Sequence, residues 1–215
     1  MPEPQYHLAE LEIALDPTRP EHILPVLSSS RVGVVDVGCG IGQLFVAKGD
    51  EVPPGVPRYG FDVDPTVIAY AKGRWPERAE FGVAPAEQLP LPGGSVDFYV
   101  SRVTIPLTNI PEALQEAARV LVPGGRLWIT LHLISMIFGQ IGRAVRRGRV
   151  KELIMRSIVL MNGLAFHIFG TGRRILGIRD SWQSRTRMRR ELDKGFKDVR
   201  VTTNGRHFLI EATRR

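Results

Sequence analysis

The sequence predicts an α/β fold: a mostly parallel sheet covered by helices on both faces, finished by an antiparallel hairpin and carrying a helical insert. Three observations predict it. Short β-branched apolar runs alternate with helical stretches between residues 31 and 132. A glycine-rich turn, Gly38-Cys39-Gly40-Ile41-Gly42, joins the first such strand to the first such helix. Near the end of the sequence, Asn204-Gly205 separates two polar/apolar strands, a hairpin signal because both residues accept positive φ. The 215 residues, 43% apolar and 24% charged, suit one globular domain with a sizeable core. We read 1–215 as that domain, with a helical arm over 1–30 and an insert over 133–180.

The elements follow in order. Residues 5–15 form a short helix, and Asp16-Pro17-Thr18-Arg19-Pro20 breaks it. Residues 21–27 form a second short helix before the loop Ser28-Ser29-Ser30. The run 31–37 is a buried parallel strand, because it is β-branched and ends in glycines. A helix over 41–48 and a strand over 59–63 come next. Pro65 opens a helix over 65–74. Strands over 81–83 and 96–101 precede an amphipathic helix over 111–121, with Pro111 in its first turn. Pro123-Gly124-Gly125 stops that helix, and 126–132 is a fifth strand. The rhythm then changes to two helices, 133–147 and 151–168, rich in Ile, Met, Phe and Arg. A helix over 184–194 leads to the hairpin strands 199–203 and 207–213.

Composition narrows the function classes. One cysteine excludes an intramolecular disulfide framework and a multi-Cys zinc site, and no metal centre is expected. The opening MPEPQYHLAELE has acidic residues and prolines where a signal peptide has basic and apolar ones, and no apolar run reaches the ~18 residues that would suggest a spanning helix. The expectation is a cytoplasmic protein. The net charge of +7 is uneven: residues 1–140 carry 10 Lys and Arg against 16 Asp and Glu, and residues 141–215 carry 19 against 6. The basic part suits an anionic partner: nucleic acid, anionic lipid or an acidic substrate. Arginine outnumbers lysine 24 to 5, which base composition alone can produce.

Chemistry concentrates around the glycine turn. Glycines 38, 40 and 42 let backbone approach a ligand closely beside a helix N-terminus. Asp62, at the end of the next strand and 20 residues beyond Gly42, can accept hydrogen bonds from both hydroxyls of an adenosine ribose. The G-x-G-x-G spacing differs from the dinucleotide pattern, and no lysine follows as it does in a P-loop.

DVGCGIGQ, YGFDVDP, AEQLPLPGGSVDFYVS and ALQEAARVLVPGGRLWITLH, in that order over residues 31–132, resemble the class I S-adenosylmethionine-dependent methyltransferases. The nearest group is the methyltransferase type 11 family that includes the ubiquinone and menaquinone biosynthesis enzymes. The resemblance implies a Rossmann-like seven-stranded sheet with its last strand antiparallel. It also implies S-adenosyl-L-methionine as methyl donor and S-adenosyl-L-homocysteine as product. Carried over by position, Asp36, Gly38, Cys39 and Gly40 would face the methionine end of the donor, and Gly42 belongs to the same cofactor-binding set. Asp62 would hold its ribose, Val63 would pack on the adenine, and Ala86 with Glu87 would meet the adenine edge. Ser101, at the tip of the fourth strand, joins this set. Pro85 stands where the family usually has an aspartate that accepts from the adenine amino group. Cys39 corresponds to a small packing residue rather than a reactive thiol.

The methyl acceptor is expected beyond the carboxyl ends of the strands. Candidate acceptor contacts are Tyr6, His7, Arg102 and Thr104, with His132 as a general base, each of which also has an ordinary structural reading. The apolar residues Ile134, Ile137, Phe138 and Ile141, with Arg143, Arg146, Arg147 and Lys151 on one helical face, suggest a lid over a small apolar or aromatic acceptor. The same helix suits peripheral contact with an anionic membrane. Nucleic acid ranks below a small molecule: Ser101-Arg102-Val103-Thr104 replaces the (Asp/Asn)-Pro-Pro-aromatic motif of base amino-methylating enzymes. No cysteine outside the loop can serve as a cytosine C5 nucleophile. A non-catalytic cofactor-binding protein is the third class, disfavoured by the intact turn and Asp62.

Overall fold

The computed structural model describes residues 5–170, 177–178, 180–204 and 207–215. Seven strands form one sheet: β1 (Val34–Val37), β2 (Arg58–Asp62), β3 (Glu80–Val83), β4 (Val96–Arg102), β5 (Leu121–His132), β6 (Phe196–Asn204) and β7 (His207–Arg214). Their order is β3-β2-β1-β4-β5-β7-β6. The first five strands run parallel, and β7 lies antiparallel to both β5 and β6.

Side chains alternate across the sheet with period two. Val35, Val37 and Tyr99 enter a core with Leu127, Ile129, Phe166, Leu192 and Phe196. Val34, Phe98, Val100 and Trp128 point the other way, onto Leu44, Phe45, Val67 and Ile68. The helices α1 (Gln5–Leu15), α2 (Gln43–Lys48), α3 (Pro65–Arg74), α4 (Ile110–Val120) and α7 (Arg185–Leu192) surround the sheet. Local chemistry sets their starts. Asp64 caps α3 by accepting from the Thr66 N–H at 2.8 Å, with Pro65 in the first turn. Ser184 caps α7 by accepting from the Arg187 N–H at 3.2 Å. Helix α4 buries Ile110, Ala113, Leu114, Ala117 and Val120 along one stripe.

Several expectations change. Residues 21–27 are turn and irregular chain rather than helix, so the arm is helical only over Gln5–Leu15. Strand β5 begins at Leu121, not 126: Val96 pairs with Leu121 and Phe98 with Arg126, so Pro123-Gly124-Gly125 is an irregularity inside the strand. The hairpin strands are longer than expected, and β6 shifts register between Lys197 and Arg200. Gly205 of the expected turn lies outside the described residues.

The insert forms α5 (Ile134–Arg146) and α6 (Val150–Phe169), packed on each other. Gly148, at φ +60°, separates them. The expected single basic face is therefore broken: Arg143 and Arg146 lie on α5, whereas Lys151 lies on α6. Contrary to the expectation of no such stretch, α6 is long and apolar enough, by length and composition, to cross a membrane. One of its faces is fastened to the body. Asn162 Nδ2 donates to the carbonyls of Ile178 (2.9 Å) and Asp180 (3.1 Å). Trp182 Nε1 donates to Leu160 O at 3.1 Å, and Gly163 makes room for the indole, which a Cβ would overlap. Ser181 Oγ donates to Pro106 O at 3.3 Å, joining this segment to the loop after β4.

Asp97 lies within β4 and ties down the loop before β1. Its carboxylate accepts from Ser30 Oγ, from Arg31 N at 2.6 Å and from Gly33 N at 3.1 Å. Partial burial pushes its pKa up, but these hydrogen bonds outweigh that and hold it below the ordinary value. Asp97→Ala should cost about 1–3 kcal/mol at neutral pH. A group whose pKa is depressed by folding stabilises above its unfolded value and loses that contribution as pH falls. Thermal unfolding of the two proteins should therefore differ at pH 7 and converge in acid.

Candidate active site

The carboxyl ends of β1, β2, β4 and β5 open into a cleft of about 910 Å³, within the usual range for ligand sites. Its floor includes Val37 and Gly38, where β1 enters the glycine turn. Gly38 N and Cys39 N both donate to Phe61 O, at 2.7 and 3.0 Å, pinning the turn to β2. Gly38, Gly40 and Gly42 have φ of +76°, +53° and +89°, where a side chain would be strained. Neighbours also occupy the space a Cβ would need: Thr104 at Gly38, His7 Nδ1 at Gly40 and the Phe81 ring at Gly42.

Asp62 binds the turn directly. Its Oδ2 accepts from Gly40 N at 2.9 Å and its Oδ1 from Asp64 N at 3.1 Å. Behind the turn lies Asp36, 1% exposed, with no hydrogen-bond partner for either carboxylate oxygen among the described residues. Burial pushes its pKa up to about 7, with the Arg102 guanidinium pulling down and Asp62 pushing up. A buried carboxyl with no donor is costly unless a cation or donor arrives. The side-chain-free turn, the acidic strand tip and this carboxyl fit an adenosyl amino acid bearing an ammonium group.

The structure brings Tyr6, His7, Gly38, Asp62, Val63, Ala86, Glu87, Arg102, Thr104 and His132 to the cleft wall. Val63 is 66% exposed there. Glu87 Oε1 accepts from Asn109 N at 2.6 Å, fastening the loop after β3 to the start of α4. Pro85 also lines the wall. Asp36, Cys39, Gly40, Gly42 and Ser101 do not line it. Ser101 Oγ donates to Val37 O at 2.9 Å, so its hydroxyl braces β4 against β1. Cys39 is fully buried in the core, and burial drives its thiol pKa well above the ordinary value, which removes nucleophilic character.

The N-terminal arm roofs the cleft. His7 rests over Gly40, and the buried Gln43 of α2 places its Nε2 3.4 Å from His7 Nδ1. A lateral lobe of about 330 Å³ extends beneath the insert, bordered by Pro106, Met136, Ile137, Arg156, Asp180 and Trp182. Where lobe and cleft meet, the His132 and His207 rings lie 5.1 Å apart, because these residues pair across β5 and β7. Enclosure pushes the His132 pKa down to about 4, and the neighbouring His207 and Arg156 push the same way. Sequence reading missed Gln43, Arg156, Asp180 and His207. The equal spacing of His132 and His207 from the paired ends of their strands was the one available signal for any of them.

Residues 35–129 match the family model described as a methyltransferase domain. The chain is 34% identical over 104 residues to the biotin biosynthesis bifunctional protein BioHC of Cellvibrio japonicus, covering 46% of this chain and 20% of that protein. It is 34% identical over 119 residues to the malonyl-[acyl-carrier protein] O-methyltransferase of Hahella chejuensis, covering 53% and 42%. The chain thus spans less than half the length of these relatives. Among solved structures, the geranyl diphosphate C-methyltransferase of Streptomyces coelicolor superposes with a TM-score of 0.62 at 15% identity, covering 98% of this chain and 80% of that one. That structure contains S-adenosyl-L-homocysteine. Residues 35–129 thus match a methyltransferase domain, and the seven-stranded sheet around them has the fold of solved S-adenosylmethionine-dependent methyltransferases.

Proposed function

We propose that this chain transfers a methyl group from S-adenosylmethionine to a small acceptor with an apolar body, held where the lateral lobe joins the main cleft. The observation that carries the donor half is Asp36: a buried carboxyl without a hydrogen-bond partner among the described residues, behind a turn whose Cβ positions are already filled. Bound there, the donor supplies an electrophilic methyl on a sulfonium with a neutral leaving group. Asp36 would face its ammonium, Asp62 its ribose, and Val63 with Ala86 its adenine.

The residues of the chain then have positional tasks. Ile13, Ile23, Pro106, Leu107 and Met136 offer apolar walls for the acceptor body. Arg102, His132, His207 and Asp180 surround its polar end. Holding acceptor and donor in line under the arm, away from water, accounts for about 7–11 kcal/mol of barrier lowering in well-oriented systems. His132 is neutral at physiological pH, so its imidazole can accept a hydrogen bond from an acceptor hydroxyl. Its low basicity makes it a weak proton acceptor and favours an orienting task. The acceptors of the relatives, malonyl-[acyl-carrier protein] and geranyl diphosphate, differ in chemistry and do not single out this chain's own. The roof made by α1 and α5 favours a small molecule over a nucleic acid strand.

Three outcomes test this reading. Asp62→Ala should weaken S-adenosylhomocysteine binding in calorimetry by about 1.5–3 kcal/mol, roughly ten- to a hundredfold, and unchanged affinity would remove Asp62 from the site. Wild-type affinity should fall as pH drops below about 7, because protonated Asp36 no longer attracts an ammonium, while Asp36→Asn should show no such slope. The sign reverses for the unliganded fold, which binds more protons than the unfolded chain and so loses stability as pH rises toward about 7. Once an acceptor is found, His132→Ala should lower kcat and leave S-adenosylhomocysteine affinity unchanged. The wild-type rate should show no His132 ionisation between pH 6 and 8.

A further inference from the structure

We propose that the α5–α6 hairpin seats this protein on an anionic lipid bilayer, with its apolar stripe in the headgroup boundary and its basic turn against lipid phosphates. Helix α6 has two unlike faces. Ile158, Val159, Asn162, Gly163 and Phe166 face the protein. Val150, Ile154, Met161, Leu164 and Ile168 face outward, each more than half exposed, at helical steps that keep them on one line. Phe138 and Val145 are exposed to a similar degree on α5. Only 28% of the apolar stretch of α6 is buried, so it is not an ordinary core helix. An apolar surface of this extent marks an interaction site.

Charge identifies the occupant. Arg143, Arg146, Arg147, Arg149 and Lys151 crowd the turn between the two helices. Among described residues the ion pair found there is Arg149 with Glu152, at 3.5 Å. An apolar helical stripe beside a basic cluster suits a monolayer of anionic headgroups over acyl chains. A second copy would also match the stripe's spacing, but residues 141–215 carry 19 basic against 6 acidic residues, so pairing two inserts opposes like charges. Spanning the bilayer does not fit. The hydrogen bonds of Asn162 and Trp182 and the burial of Phe166 hold the inner face of α6 to the methyltransferase body.

The seat also bears on the acceptor, and this part rests on the proposed function. Met136 and Ile137 of α5 and Arg156 of α6 border the lateral lobe. Docking through these two helices brings that lobe beside the bilayer, where an acceptor dissolved in lipid can enter. The docking itself requires no acceptor and is tested separately.

The full chain would be sedimented with vesicles of phosphatidylcholine alone and of phosphatidylcholine mixed with phosphatidylglycerol. We expect binding to the mixed vesicles, little to the neutral ones, and weakening as salt rises. The double variant Met161→Glu/Leu164→Glu should lose at least about tenfold in binding, since apolar seating is removed. The triple variant Arg143→Glu/Arg146→Glu/Arg147→Glu should lose a similar factor or more. All substituted residues are exposed, so circular dichroism and melting temperature should stay as in the wild type. The proposal is overturned by failure to bind either vesicle, or by binding that the Met161→Glu/Leu164→Glu variant retains. It is equally overturned by a dimer in sedimentation velocity that this variant dissolves, which would make a second copy the occupant. None of these outcomes bears on donor binding, so the methyltransferase reading stands or falls on its own tests.

Discussion

The site is organised by a bend that has no room for side chains. Each of its three glycines is crowded by a neighbour from a different part of the chain: Thr104 from the segment after β4, His7 from α1, and Phe81 from β3. Asp62 closes the arrangement by accepting the Gly40 N–H from the tip of β2. The bend therefore holds three strand ends and the arm in register with one another. A methyl group added at any of these glycines would disturb the bend and also displace the element packed against it. This is why so short a motif governs the shape of a large cleft.

Beside this bend the protein keeps a group that does little for stability. Asp36 is buried without a donor among the described residues. Such a group is disfavoured in an apoprotein and makes sense where a ligand completes it. The surrounding fold offsets it with two apolar layers and with bridges such as Asp97 to the loop before β1.

Much of this was legible in the sequence because the signals are local. Val34-Val35-Asp36-Val37 reads as a buried strand, Asp64-Pro65 as a helix start, and the Ile110–Val120 stripe as a core-facing helix. The glycine bend and the acid at the tip of β2 were legible for the same reason, since they are neighbours in a βαβ unit. Pro123-Gly124-Gly125 misled because residues that normally end an element here form a bulge, and β5 resumes its pairing at Arg126. The partners of Asp97 lie more than sixty residues away, and no local pattern announces them. The part of the cleft beside the insert was least legible. His207, Asp180 and Arg156 meet His132 only through the antiparallel strand and the folded insert.

The placement of β7 has a consequence for how the chain comes together. That strand lies between β5 and β6, although β6 is made first. Strand β6 has no sheet edge to join until β7 is in place, since its one neighbour in the sheet is β7. The five parallel strands can assemble as they emerge, but the last two must add together after translation has passed Arg214. Until then the outer edge of β5 is bare, and a nascent chain stalled in this interval presents that edge to chaperones or to other nascent chains.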